Sequence, residues 1–200
     1  MVDYKASQVA RAAAAAALQA ANPHLVPISA CKGGSLIAAS KNMKIELALA
    51  FPGVRFSIKT RRFSGGDAID VSWTDGPTSK QVDEIIDRYS AGSFDGMEDI
   101  YNYSRNAWIE AFGAAKYVHS RRDMSDAAIE RAIRLVSSKY ALPAGVEISV
   151  AAYRKGDLWR VPFDGGWGKQ NVQDLVSEAA YRQCYALTKP YIRTEQLEEA

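Results

Sequence analysis

Cysteine and histidine are scarce in this 200-residue chain, which has only Cys31, Cys184, His24 and His119. Two distant cysteines build no disulfide framework and no CxxC pair, so a stapled secreted scaffold and a thiolate zinc site are both excluded. With so little imidazole, a metal centre would have to rest on carboxylate oxygens. No run approaches the roughly 18 apolar residues of a membrane-spanning helix. The start carries Asp3 and Lys5, and the weakly hydrophobic alanine run at 12–17 is followed by Gln19, which is not the pattern of a signal peptide. The expectation is a reduced, cytoplasmic setting without membrane contact. At 48% hydrophobic and 24% charged residues, the composition is that of a globular chain able to bury a core without staples.

Strong net charge is also missing, because the total is only +2. The molecule as a whole is therefore neither a basic nucleic-acid binder nor an acidic mimic of DNA. The charge is unevenly placed, however. Residues 1–62 hold nine Lys/Arg against two acids, and residues 63–110 hold three against ten. That asymmetry suggests a charged binding face, or self-association between unlike patches.

Alanine dominates residues 6–21, which read as a helix ended by Asn22-Pro23. Its smooth face would pack on its own domain or on a second copy, making a homodimer one expectation. A second helix is expected over 35–50, with Lys41 and Lys44 on its polar side. VRFSIKT (Val54–Thr60) and AIDVSWT (Ala68–Thr74) alternate with period two, and Gly65-Gly66 lies between them. This predicts a hairpin turn, not a phosphate-cradling loop, which would join a strand to a helix. Thr78 with Gln81 matches a capping box for a helix to about Tyr89. A short helix at 106–112, a strand near 115–121 and a Ser125-capped helix to about Tyr140 follow. Residues 147–161 read as a hairpin around Lys155-Gly156-Asp157, and 171–186 as a helix capped by Asn171, before a mobile tail. The fold class is α+β: a small antiparallel sheet with helices on one face. Three regions are expected: 1–34, a core at 35–142, and 143–200.

Several constellations carry possible chemistry. Lys59, Arg61 and Arg62 cluster on the first strand, Arg121 and Arg122 on the third, and Lys41 and Lys44 on the preceding helix. If those elements are neighbours, the seven cations form a face that would neutralise phosphates, giving salt-sensitive affinity. The alternative is a solvated face paired with Asp67, Asp70 and Asp123. Trp159, Arg160, Phe163, Trp167 and Lys169 interleave rings and cations, a pattern suited to base stacking, a protein interface or plain packing. Asp95, Glu98 and Asp99 form an acidic turn; with His119 they are the candidate residues for a metal-dependent enzyme acting on nucleic acid or nucleotide. Cys31 beside Lys32 reads as an inert thiol. No catalytic residue, metal or cofactor is assigned.

AFPGVRFSIKT (Ala50–Thr60), SGGDAIDVSWTDGPT (Ser64–Thr78), SFDGMEDIYNY (Ser93–Tyr103) and GAAKYVHSRRDMSDAAIERAI (Gly113–Ile133) together resemble the large polyvalent protein-associated domains, type twenty-nine. The likeness runs from about Lys41 to Leu142. It implies a protein of phages, plasmids or conjugative elements acting in a bacterial host. It further implies an accessory or counter-defence factor whose partner is a host defence protein or nucleoprotein, such as a CRISPR effector, or nucleic acid itself.

Overall fold

The computed structural model describes residues 4–97, 99–104, 106–164 and 169–187. The chain forms two compact units, Met1–Trp73 with Ser79–Arg121, and Thr74–Thr78 with Arg122–Ala200.

The first unit begins with the alanine helix α1 (Tyr4–Ala21) and α2 (Gly34–Ala50). The hairpin β1 (Phe56–Phe63) and β2 (Gly66–Thr74) follows, then α3 (Ser79–Ile86). A second hairpin, β3 (Gly92–Asp95) and β4 (Ile100–Tyr103), precedes α4 (Ala107–Phe112) and β5 (Tyr117–Asp123). β1 and β2 pair antiparallel from Phe56↔Trp73 to Phe63↔Gly66. β2 lies in the middle of the sheet, in the order β1-β2-β5. The Lys116 N–H donates to the Asp67 carboxylate at 2.8 Å, and the Asp75 N–H to the Asp123 carbonyl at 2.8 Å. The start of β5 therefore lies by the start of β2 and its end by the end of β2, so the sheet is mixed where an antiparallel one was expected. The α+β class itself is as expected.

Period-two alternation sends Ile69, Val71 and Trp73 of β2 into the core. There they meet Leu36, Met43 and Leu47 of α2, Val82 and Ile86 of α3, and Phe112 of α4. Full burial of each such side chain is worth about 1.5–3 kcal/mol, so this one apolar layer fixes which side of the sheet is inside. α1 packs on α4, with Ala15 buried and Arg11 Nε donating to Glu110 at 2.9 Å. That is the intradomain packing available to an alanine-rich face.

The second unit holds α5 (Asp126–Lys139), α6 (Val150–Lys155), the hairpin β6 (Pro162–Asp164) and β7 (Lys169–Asn171), and α7 (Val172–Leu187). Ile129, Ile133 and Val136 of α5 pack with Val172, Leu175 and Val176 of α7. The hairpin expected at 147–161 is not formed. Ser149 caps α6 by accepting from the Ala152 N–H, and Gly156 ends it in the left-handed region at φ 79°. A glycine after a helix uses the same positive φ as a hairpin glycine, which is why the sequence pattern was ambiguous. The hairpin lies later, at β6–β7. Ser125 caps α5 by accepting from the Ala128 N–H at 3.1 Å. Ser125→Ala is expected to destabilise this unit by about 1 kcal/mol, read as a lowered midpoint in urea unfolding.

Among the described residues no helix is long and apolar enough to cross a membrane.

Candidate functional site

Strand parity defines the site. Directly opposed residues of an antiparallel pair share one face. Phe56↔Trp73, Ile58↔Val71 and Thr60↔Ile69 therefore mark the inner face of the β1–β2 hairpin, and Ser57↔Ser72, Lys59↔Asp70 and Arg61↔Ala68 the outer face. On β5, Val118 packs on the core, which turns Tyr117, His119 and Arg121 outward. Lys59, Arg61, His119 and Arg121 are all exposed.

The outer face is electrostatically ordered. Arg61 grips Asp70 with two bonds, Nε to Oδ2 at 2.5 Å and Nη2 to Oδ1 at 2.9 Å. That contact holds the Asp70 carboxyl below its ordinary value, against the opposing effect of its partial burial. Both partners are therefore charged at neutral pH. Arg61 is fixed in orientation by the pair, while Lys59 on the neighbouring position extends into solvent.

Aromatic rings continue the same face. The Phe63 and Tyr117 rings lie 6.1 Å apart with planes 21° from parallel, and Tyr117 and His119 lie 6.2 Å apart at 9°. Phe63 is 46% exposed. Tyr101 of β4 meets Tyr117 edge-on at 5.7 Å and 67°, and its O–H donates to the Lys116 carbonyl. Burial pushes the Tyr101 phenol above its ordinary value, so it stays a donor. Lys116 Nζ lies 5.1 Å from the Tyr101 ring and 5.3 Å from the Tyr117 ring, and donates to the Gly65 carbonyl at 2.8 Å. The β3–β4 hairpin thus supports one end of the strip.

Of the seven cations expected on one face, Lys59, Arg61 and Arg121 share the outer face. Arg62 has the opposite parity and donates through Nη2 to the Gly33 carbonyl at 3.3 Å. Lys41 and Lys44 are exposed on α2, the helix that packs with the inner-face residues of β1. Arg122 belongs to the second unit and is half-buried. It donates to the Asp75 and Gly76 carbonyls at 3.3 and 2.9 Å and lies 4.6 Å over the Tyr181 ring. Its work is to hold the Asp75-Gly76 turn.

Trp159 (57% exposed) and Arg160 lie on a 3-10 turn in the second unit. Phe163 packs against Tyr140, ring centroids 5.1 Å apart, as part of that unit's core. Trp167 and the Lys169 side chain lie outside the described residues, as do Glu98, the Asp95 side chain and the segment from Pro190 onward. Asp99 sits in the β3–β4 turn with φ 53°. Among the described residues no group of three or more His, Cys, Asp or Glu is placed to hold a metal. Cys31 is buried.

The strand near 115–121 was legible in the sequence, but not the strip that its Tyr117, His119 and Arg121 join. Phe63 and Tyr101 went unassigned. The signal was present in IYNY, where Tyr101 and Tyr103 stand two apart after the Asp95-Gly96 turn.

Residues 35–125 match the family described as large polyvalent protein associated domain 29, as the four sequence blocks led us to expect. The match spans α2 to the cap of α5, so it takes in every residue of the outer face. It leaves out α1 and the helices of the second unit. No curated protein and no solved structure matches.

Proposed function

We propose that this chain is a non-enzymatic binding protein of a mobile genetic element, which docks through the outer face of its sheet on the phosphates of a nucleic acid. In the cell that strand would belong to a host defence nucleoprotein, such as a CRISPR effector, and docking would block it by bulk and by charge. One observation carries the reading: Lys59, Arg61 and Arg121 stand together on an exposed sheet face, within the segment matched to a domain of polyvalent proteins. Lys and Arg that neutralise phosphates release counterions, so the affinity falls with salt.

The test is the triple variant Lys59→Glu, Arg61→Glu, Arg121→Glu, with fold checked by circular dichroism. Binding of a fluorescent oligonucleotide is followed by anisotropy across a salt series. Each lost phosphate contact reduces the log–log salt slope by about 0.7–0.9, so the variant is expected to bind at least about tenfold more weakly, with a slope shallower by about 2. Arg62→Glu, on the opposite parity, and Lys41→Glu with Lys44→Glu, on α2, are expected to change binding far less. Wild-type affinity in a folded triple variant removes the outer face as the docking surface.

A further inference from the structure

From the ring geometry of the outer face we infer that its ligand is an unpaired strand whose bases stack on Phe63, Tyr117 and His119. This rests on the phosphate-docking reading and makes it specific. Three observations converge on it. First, the rings form an offset-stacked row, with centroid spacings of 6.1 and 6.2 Å and planes 21° and 9° from parallel. Phe63 and His119 end that row and are exposed, so a base can extend it at either end. Second, the strip is braced from beside and below. Tyr101 stands edge-on to Tyr117, and Lys116 reaches both rings and the Gly65 carbonyl. A braced ring loses little freedom when a base lands on it. Third, the cations flank the rings on the same face, Lys59 and Arg61 on β1 and Arg121 two residues beyond His119.

Rings flanked by cations complement one chemistry in particular: flat bases strung on a phosphate chain. Base–aromatic stacking tolerates any sequence, because every base has a π-face. In a duplex those faces are covered by neighbouring bases, and sequence-tolerant sheet platforms consequently take single strands. An acidic peptide would satisfy the cations and leave the row of rings without a partner.

The experiment compares a single-stranded DNA oligonucleotide, its duplex of equal length and an acidic polyglutamate peptide, using the full chain at low salt. The expected result is preference for the single strand. Phe63→Ala with His119→Ala should weaken single-strand binding at least about tenfold and leave duplex binding nearly unchanged, whereas Phe63→Trp should retain it and show indole quenching on binding. The Trp variant guards against a loss caused by misfolding. Equal affinity for single strand and duplex, unmoved by Phe63→Ala and His119→Ala but abolished by the charge reversals, overturns stacking and leaves phosphate docking standing. Binding of the peptide alone, or of none of the three, overturns both.

Discussion

Replacing Asn42 by alanine is expected to destabilise the first unit by about 3 kcal/mol or more, because buried backbone groups stripped of partners cost about 1–3 kcal/mol each. Asn42 is wholly buried in the middle of α2. Its Oδ1 accepts from the Val26 N–H at 2.7 Å, and its Nδ2 donates to the Val26 carbonyl at 2.9 Å and the Phe112 carbonyl at 3.1 Å. One amide thus ties the loop after α1 and the end of α4 to the central helix. Removing it orphans two carbonyls and an N–H at once. Asn42→Asp keeps the size and one acceptor, and is sharper still as a test. Its carboxylate would be buried among carbonyl oxygens, a setting that raises a carboxyl pKa. With the folded pKa above the unfolded one, stability relative to wild type is better at low pH and is lost as pH rises through the folded value. Urea unfolding of the two variants at pH 4.5 and pH 7.5 reads both effects. The signal should come from Trp73 and Trp108, in a background with Trp159 and Trp167 changed to Phe. A loss below about 1 kcal/mol for Asn42→Ala would mean that other groups or water replace the amide.

The elements whose sequence carried two agreeing signals were legible. The β1–β2 hairpin had alternation in both arms and glycines between them; α5 had a helical apolar stripe and Ser125 to cap it. The elements that went astray had one signal. Residues 147–161 offered β-branched residues around a glycine, a pattern that hides the Ser149 cap on which α6 rests. β3 and β4 are four residues each, and the alternation in IYNY runs only over Tyr101-Asn102-Tyr103, too short a stretch to mark a strand by itself. For the site, residue type was legible and placement was not. Period two alone separates Arg61 from Arg62, since neighbours on a strand face opposite ways; a single basic face containing both was never available to that hairpin. The Arg61–Asp70 pair and the Phe63–Tyr117 contact depend on cross-strand register and on β5 lying beside β2, and neither is written locally.

That dependence also explains why the outer face is braced where it is. β5 can lie beside β2 only if the chain leaving α4 turns tightly past α2, and this turn gives the other large effect. Gly113→Ala is expected to cost about 3–5 kcal/mol, combining a backbone region nearly closed to side chains, about 1–3 kcal/mol, with overpacking of similar size. Gly113 follows α4 with φ 89° and ψ 170°. A Cβ there would stand 2.3 Å from the Ser35 carbonyl oxygen and 3.1 Å from the Ala39 nitrogen. The obstruction is helix backbone and cannot swing aside. Ser35 locks the same junction, accepting from the Ala114 N–H at 2.8 Å and donating to the Ala114 carbonyl at 3.0 Å. Gly53→Ala is the matched control: its φ is 86°, yet nothing lies within 4 Å of the added Cβ. It should lose only the conformational share, about 1–2 kcal/mol. If close approach is the larger part, the two variants separate by about 2 kcal/mol in urea at unchanged m. If they lose stability equally, φ alone explains Gly113, and the fit of the α4–β5 junction against α2 does not set the position of β5. The separation should reach the site too. A displaced β5 moves Tyr117, His119 and Arg121 relative to Lys59 and Arg61, so Gly113→Ala, held folded at low temperature, should bind a single strand more weakly than Gly53→Ala.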